Sequence, residues 1–191
     1  LRLDRVDGVD GVELNLSCPN VPAGGIAFGR EATTVARVVE SVRGVTRKFI
    51  AVKVTPMAPI ADIARASQDA GADALTITNT VPAMAIDVRT RKPRLANVVG
   101  GLSGPAMRPI AVRMVFEARR ACTLPIIGVG GIASGNDVAE FLLAGATAIQ
   151  VGTATFKDPN AVGAIRDQLL QYLASQGARS VADIVGGCVV E

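Results

Sequence analysis

The sequence predicts an α/β protein of the TIM, or (β/α)8, barrel class, present as a partial barrel of about the last five βα units. Three observations lead there. Short, β-branched apolar runs alternate five times with longer helical patterns. Polar, glycine-rich or reactive residues follow almost every run. The apolar material is aliphatic, because 49% of the residues are hydrophobic but only 3% are aromatic. A core poor in rings suits parallel strands buried beneath helices.

In chain order, residues 12–17 (Val-Glu-Leu-Asn-Leu-Ser) read as a first strand and 32–43 as its helix. A second strand at 49–54 precedes a helix at 60–70, and a third at 74–79 leads into an interruption. That segment, 84–97, is basic and turn-rich, with alternation on both sides of Arg91-Lys92-Pro93, and reads as a hairpin inserted beside the mouth of a site. A helix at 105–121, a strand at 125–130, a helix at 136–144, a strand at 148–153 and a helix at 159–175 complete the series. Gly71 and Gly145 stand where helices must end before the next strand. An open doubly wound sheet would carry a Gly-x-Gly-x-x-Gly turn after its first strand, and none occurs. In a barrel all strand ends meet on one face, which explains why nearly every one of them is polar. A complete barrel takes about 250 residues and eight strands. Residues 1–191 are therefore expected to form a single domain that lacks its N-terminal part.

The net charge of +3 is spread among mixed signs without a basic run, which argues against a nucleic-acid partner. Three widely spaced cysteines and no histidine argue against a metal site and against a disulfide framework. No stretch approaches the roughly 18 apolar residues of a membrane span, so the expectation is no membrane and a reducing cytoplasm.

Three features carry chemistry. Gly130-Gly131 and Gly152-Thr153 follow the last two strands, where glycine lets backbone N–H groups approach a phosphate. Each pair alone is an ordinary tight turn; together they mark the usual phosphate site of a barrel. Lys53 lies in an apolar strand, where a lone ammonium needs an anionic partner or a site to serve. Beside a flavin it would stabilise the reduced ring. Cys18 follows a strand and precedes a proline, which presents its thiol at the strand end among Asn15, Ser17 and Asn20. A free thiol ionises at about pH 8.5, so at neutral pH it is only partly the thiolate. Cys122, before Thr-Leu-Pro, and Cys188, near the tail, lack such surroundings and are read as structural.

Asn15-Leu-Ser-Cys-Pro-Asn20, Val52-Lys53, Ile77-Thr-Asn-Thr80, Gly101-Leu-Ser-Gly-Pro105, Gly128-Val-Gly-Gly131 and Gly152-Thr153 occur in the order and at the spacings of one family. The chain resembles class 1 dihydroorotate dehydrogenases, flavin mononucleotide (FMN) enzymes of pyrimidine biosynthesis that convert dihydroorotate to orotate. Class 2 has serine where Cys18 stands. The run from Asn79 to Pro93 resembles the 1B form, whose catalytic subunit works with an iron-sulfur and FAD subunit that passes electrons to NAD; the fumarate-using 1A homodimer is the nearer rival. The resemblance implies Cys18 as catalytic base. It implies Asn15, Lys53, Thr78, Gly104, Gly130, Gly131, Gly152 and Thr153 as FMN-binding residues, and Asn15, Asn20, Asn79 and Thr80 around the orotate. It also implies a homodimer. Other readings are a dihydrouridine synthase, the pyrimidine-reducing domain of dihydropyrimidine dehydrogenase, or a phosphate-binding module without turnover.

Overall fold

The computed structural model describes residues 2–17 and 29–190. The chain runs through β1 (Gly11–Asn15), α1 (Ala32–Arg43), β2 (Phe49–Lys53), α2 (Ile60–Asp69) and β3 (Ala74–Ile77). Four short strands follow: β4 (Val81–Ala83), β5 (Ile86–Asp87), β6 (Lys92–Pro93) and β7 (Gly100–Leu102). Then come α3 (Arg108–Ala121), β8 (Ile126–Val129), α4 (Gly135–Ala144), β9 (Ala148–Gln150), α5 (Ala154–Lys157) and α6 (Ala161–Ser175).

One sheet holds β1-β2-β3-β8-β9, all parallel, and its spatial order follows chain order without reversal. A doubly wound fold needs a point where the order turns back; a barrel does not. The helices agree with the barrel. Neighbours pack in sequence, α1 on α2, α2 on α3, α3 on α4 and α4 on α6, as on the outside of one curved sheet. The predicted partial (β/α)8 barrel of five units is what the chain forms.

Strand alternation divides the sheet into a dry face and a polar one. Leu14, Val52, Leu75 and Ile126 lie in one register row and pack beneath the helices. The adjacent row, Asn15, Lys53, Thr76, Ile127 and Ala148, faces the other side, towards the barrel lumen. The dry face is close-packed. Phe141 of α4 is fully buried above Gly128, where a Cβ would stand 2.5 Å from its ring. Ser134 caps α4 reciprocally with Asp137, and Gly145 ends it in the left-handed conformation at φ 115°, as the sequence suggested. Gly71, at φ 90°, does the same after α2.

Three differences from the sequence reading have physical causes. The strands stop short of their predicted ends: Ser17, Thr78-Asn79, Gly130 and 151–153 lie beyond the ladder. Polar strand-end residues leave the sheet because their groups are used elsewhere. The insertion is larger than 84–97, since β4 pairs with β7 and β5 with β6, so an antiparallel arm extends from 81 to 102. At its tip the backbone N–H groups of Thr90 and Arg89 hold the Asp87 carboxyl below its usual range. Cys188, read as structural, is exposed and has no packing role, whereas Cys122 is buried.

Phe141→Ala is expected to cost about 3–5 kcal/mol, seen as a lower denaturant midpoint with little change in slope. An unchanged midpoint would mean that α4 does not seal β8. Burial pushes the Cys122 thiol up, so in native protein an alkylating reagent should label Cys188 well before Cys122 at neutral pH. Peptide mass spectrometry over time reads the order, and equal rates would contradict it.

Candidate active site

The residues that leave the ladders gather at the C-terminal end of the sheet. Lys53, Thr78, Asn79, Thr80, Gly104, Gly130, Gly131, Gly152 and Thr153 line one cavity of about 160 Å³, together with Ser103, Met107, Val129, Ile132 and Gln150. Gly104, Gly130 and Gly131 all have positive φ, at 83°, 134° and 77°. At Gly131 no other residue fits, because a Cβ would lie 2.7 Å from the Arg108 amide nitrogen and from the Gly104 carbonyl oxygen. At Gly152 a Cβ would meet nothing within 4 Å, so the wall there is open. Thr153 begins the short helix α5. Two glycine turns and a helix start therefore bound one end of the cavity.

A partly buried brace fixes those turns. Arg108, at the start of α3, pairs with Asp137 and with Glu140, the latter at 3.2 Å. The second oxygen of Asp137 accepts the N–H groups of Ala133 and Ser134, each at 2.8 Å. The segment after Gly130-Gly131 is thus tied to α3 and α4 at once. Asp137 is buried, so removing one partner would leave the other charge stranded.

At the opposite end stands Lys53. Its Nζ lies 3.5 Å from Glu13 Oε1, with side chains 22% and 32% exposed. Glu13 Oε2 accepts from Thr76 Oγ1 at 2.6 Å and from Gln150 Nε2 at 3.2 Å. The anionic partner that Lys53 requires is therefore Glu13, two residues before Asn15 on β1. Sequence reasoning missed it. The signal was there, since a charged residue at an alternate position of β1 points to the same face as Asn15.

A second cavity adjoins the first, beneath the antiparallel arm. Asn15, Asn79 and Thr80 line it with Pro82, Leu95, Asn97 and Gly101. Asn79 and Thr80 thus face both cavities, whereas Asn15 lines only this second one. The amides form a chain: Asn79 Nδ2 donates to Ser17 Oγ at 2.7 Å, and Ser17 Oγ donates to Asn15 Oδ1 at 2.7 Å. Asn79 Oδ1 accepts the Thr80 N–H at 2.8 Å. Thr78 Oγ1 is turned to the Val54 carbonyl at 3.1 Å, and its N–H is bonded to the Val129 carbonyl at 2.9 Å. Cys18 and Asn20 lie outside the described residues; Ser17, next to them, is buried. Ser103, Gln150, Met107 and Ile132 were also missed, the last two because apolar lining residues look like any core position.

The dihydroorotate dehydrogenase family model matches residues 3–173. The chain belongs to the dihydroorotate dehydrogenase family. Among relatives it is similar to the protein named dihydroorotate dehydrogenase B (NAD(+)), catalytic subunit, of Geobacter metallireducens, at 50% identity over 99% of this chain and 62% of the relative. It is similar also to the proteins of that name from Desulforudis audaxviator, at 52% identity over 97% of this chain and 61% of the relative, and Geobacter sulfurreducens, at 50% over 99% and 62%. The chain thus spans about three fifths of the length of the curated relatives it matches. The family's fold is the (β/α)8 barrel, and the sheet order seen here is that of five consecutive units of one. Among the described residues no helix is long and apolar enough to cross a membrane.

Gly131→Ala is expected to destabilise the dihydroorotate dehydrogenase fold by more than about 1 kcal/mol, through its positive φ and the close Arg108 and Gly104 contacts. Gly152→Ala should stay within about 0.5 kcal/mol of the parent. Thermal melts of both variants decide this, and equal midpoints would mean that the Gly131 turn is not fixed as described.

Proposed function

We propose that this chain forms the C-terminal part of the FMN-binding catalytic domain of a class 1B dihydroorotate dehydrogenase. It oxidises (S)-dihydroorotate to orotate in pyrimidine biosynthesis, and a partner subunit carrying iron-sulfur and FAD groups passes the electrons to NAD. The observation that carries this reading is the pair of adjoining cavities that share Asn79 and Thr80. One has a glycine-turn wall at one end and a lysine at the other, which suits a phosphate tail and a ring that gains negative charge. The other has neutral amides and hydroxyls that suit a planar pyrimidine. The names of the relatives support the NAD-linked form over the fumarate-dependent 1A form. Their designation as catalytic subunits supports a complex with a second subunit. A homodimer of the catalytic chain and a cytoplasmic location belong to the same proposal.

The residues fit FMN. The open wall at Gly152 and the positive-φ turns at Gly104, Gly130 and Gly131 leave room that side chains would fill. In this reading Gly130, Gly131, Gly152 and Thr153 hold the phosphate through backbone N–H groups, and Thr78 and Gly104 meet the flavin through the main chain. Lys53 sets its ammonium against the pole of the ring where charge collects. FMN, when bound, supplies the acceptor for the hydride leaving C6 of dihydroorotate.

Asn15, Asn79 and Thr80 orient the pyrimidine, with Ser17 locking the two amides to each other, and Asn20 assists at its edge. Cys18 acts as the base that takes the proton from C5. The arm from β4 to β7 roofs the second cavity and keeps water from the reacting carbons.

Cys18→Ala should leave bound FMN in place and lower the rate of flavin reduction by dihydroorotate at least about 10²-fold, the scale of a lost general base. Stopped-flow absorbance in the flavin band measures it, and a rate equal to the parent would remove Cys18 from the mechanism. Turnover with NAD in the presence of the partner subunit, set against turnover with fumarate, tests the subclass.

A further inference from the structure

The carboxylate of Glu13 touches two residues of the glycine-walled cavity, Lys53 at 3.5 Å and Gln150 at 3.2 Å, while lining neither cavity itself. Thr76 Oγ1, fully buried on β3, donates to the same carboxylate at 2.6 Å and fixes its direction. Ala51 and Ala74, its register neighbours on β2 and β3, are too small to compete for the space. One anion therefore stands behind both polar groups at one end of the cavity, held by a hydroxyl that has no other task.

We propose that Glu13 is a positioning residue and counter-charge for the flavin: it fixes the Lys53 ammonium and the Gln150 amide, and sets how much of the lysine's positive charge the ring feels. This rests on the reading of the cavity as the FMN site. The geometry separates two jobs that a lone lysine would have to combine. A free ammonium at the cavity wall would favour the reduced, negatively charged ring strongly and hold the electrons back. An ammonium shared with a carboxylate favours it less, so the electrons pass on to the next carrier more readily. The balance depends on the Glu13 charge and not on its bulk, because Gln has the same shape. Gln150 extends the effect. One N–H of its Nε2 is engaged by Glu13, which leaves the other N–H and the carbonyl oxygen of the amide.

The test is the two-electron midpoint potential of the bound flavin, measured spectroelectrochemically on the holoprotein. Glu13→Gln should raise it, with the reduction equilibrium moving roughly tenfold towards the reduced flavin, which is about 30 mV for a two-electron couple. Glu13→Asp keeps the charge but withdraws it by one methylene, and should move the potential the same way by less. It carries the test where Glu13→Gln yields no holoprotein. Lys53→Gln should lower the potential, and Glu13→Gln added to Lys53→Gln should raise it again, since the uncompensated carboxylate no longer opposes the negative charge of the reduced ring. A merely structural Glu13 would change yield or melting temperature without this signed shift. An unshifted potential in flavin-loaded Glu13→Gln or Glu13→Asp overturns the role of Glu13 alone. A parent protein that takes up no FMN overturns the reading of the cavity, and this inference with it.

Discussion

The polar face of this sheet depends on one carboxylate. Parallel strands whose outer face is covered by helices leave only the lumen for charge, and a lysine there is costly without a partner. Glu13 supplies the partner and also binds Thr76 and Gln150. It thereby connects β1 with β2 and β3 and, across the lumen, with β9. The ion pair itself is partly exposed and is worth no more than about 1 kcal/mol. Its weight lies in direction. With three partners on one carboxylate, Lys53 and Gln150 have fixed positions at the cavity wall before any ligand arrives, and binding then orders less than it would in a loose site.

The other end of the cavity is held by different means and to the same effect. Gly130 and Gly131 can adopt their positive φ values at little cost, but freedom to adopt a turn is also freedom to leave it. Asp137 removes that freedom by accepting two successive backbone N–H groups just past the turn while it pairs with Arg108. Arg108, the arginine against Gly131, is thereby paired with Asp137 and Glu140. The donors left at this wall are then backbone N–H groups, which are fixed dipoles instead of a mobile charge.

The fold was legible in the sequence because it rests on local periodicity. Five β-branched runs, each followed by a 3.6-residue pattern, specify βα units without knowledge of distant contacts, and Gly71 and Gly145 mark helix ends by backbone conformation alone. The glycine turns and Lys53 were legible for the same reason: each breaks a local pattern. What stayed hidden was partnership. Nothing local says that Glu13 meets Lys53, Thr76 and Gln150, since those contacts cross 40, 63 and 137 residues of chain. Met107 and Ile132 are likewise indistinguishable from core residues until the turns around them close. The strand ends misread in the sequence are of this kind too. Strand propensity continues through Thr78 and Val151, but the ladder ends at Ile77 and Gln150.

That early exit from the ladder is what makes two cavities out of one sheet edge. Had β3 continued to Asn79, its side chain would have been committed to one face of the sheet. Instead the Thr78 N–H still bonds to Val129 at 2.9 Å and the Asn79 N–H to Val54 at 3.0 Å, so the main chain stays anchored while its side chains are released from strand alternation. Asn79 can then join Ser17 and Asn15 on one side and border the glycine-walled cavity on the other. A residue in that position borders both spaces. Any ligand that draws on the Asn79 amide pulls on a group whose carbonyl oxygen already holds the Thr80 N–H, and Thr80 is the other residue common to both. The residues shared by the two cavities are therefore two consecutive positions on one anchored segment, which keeps the two spaces in a fixed relation to each other.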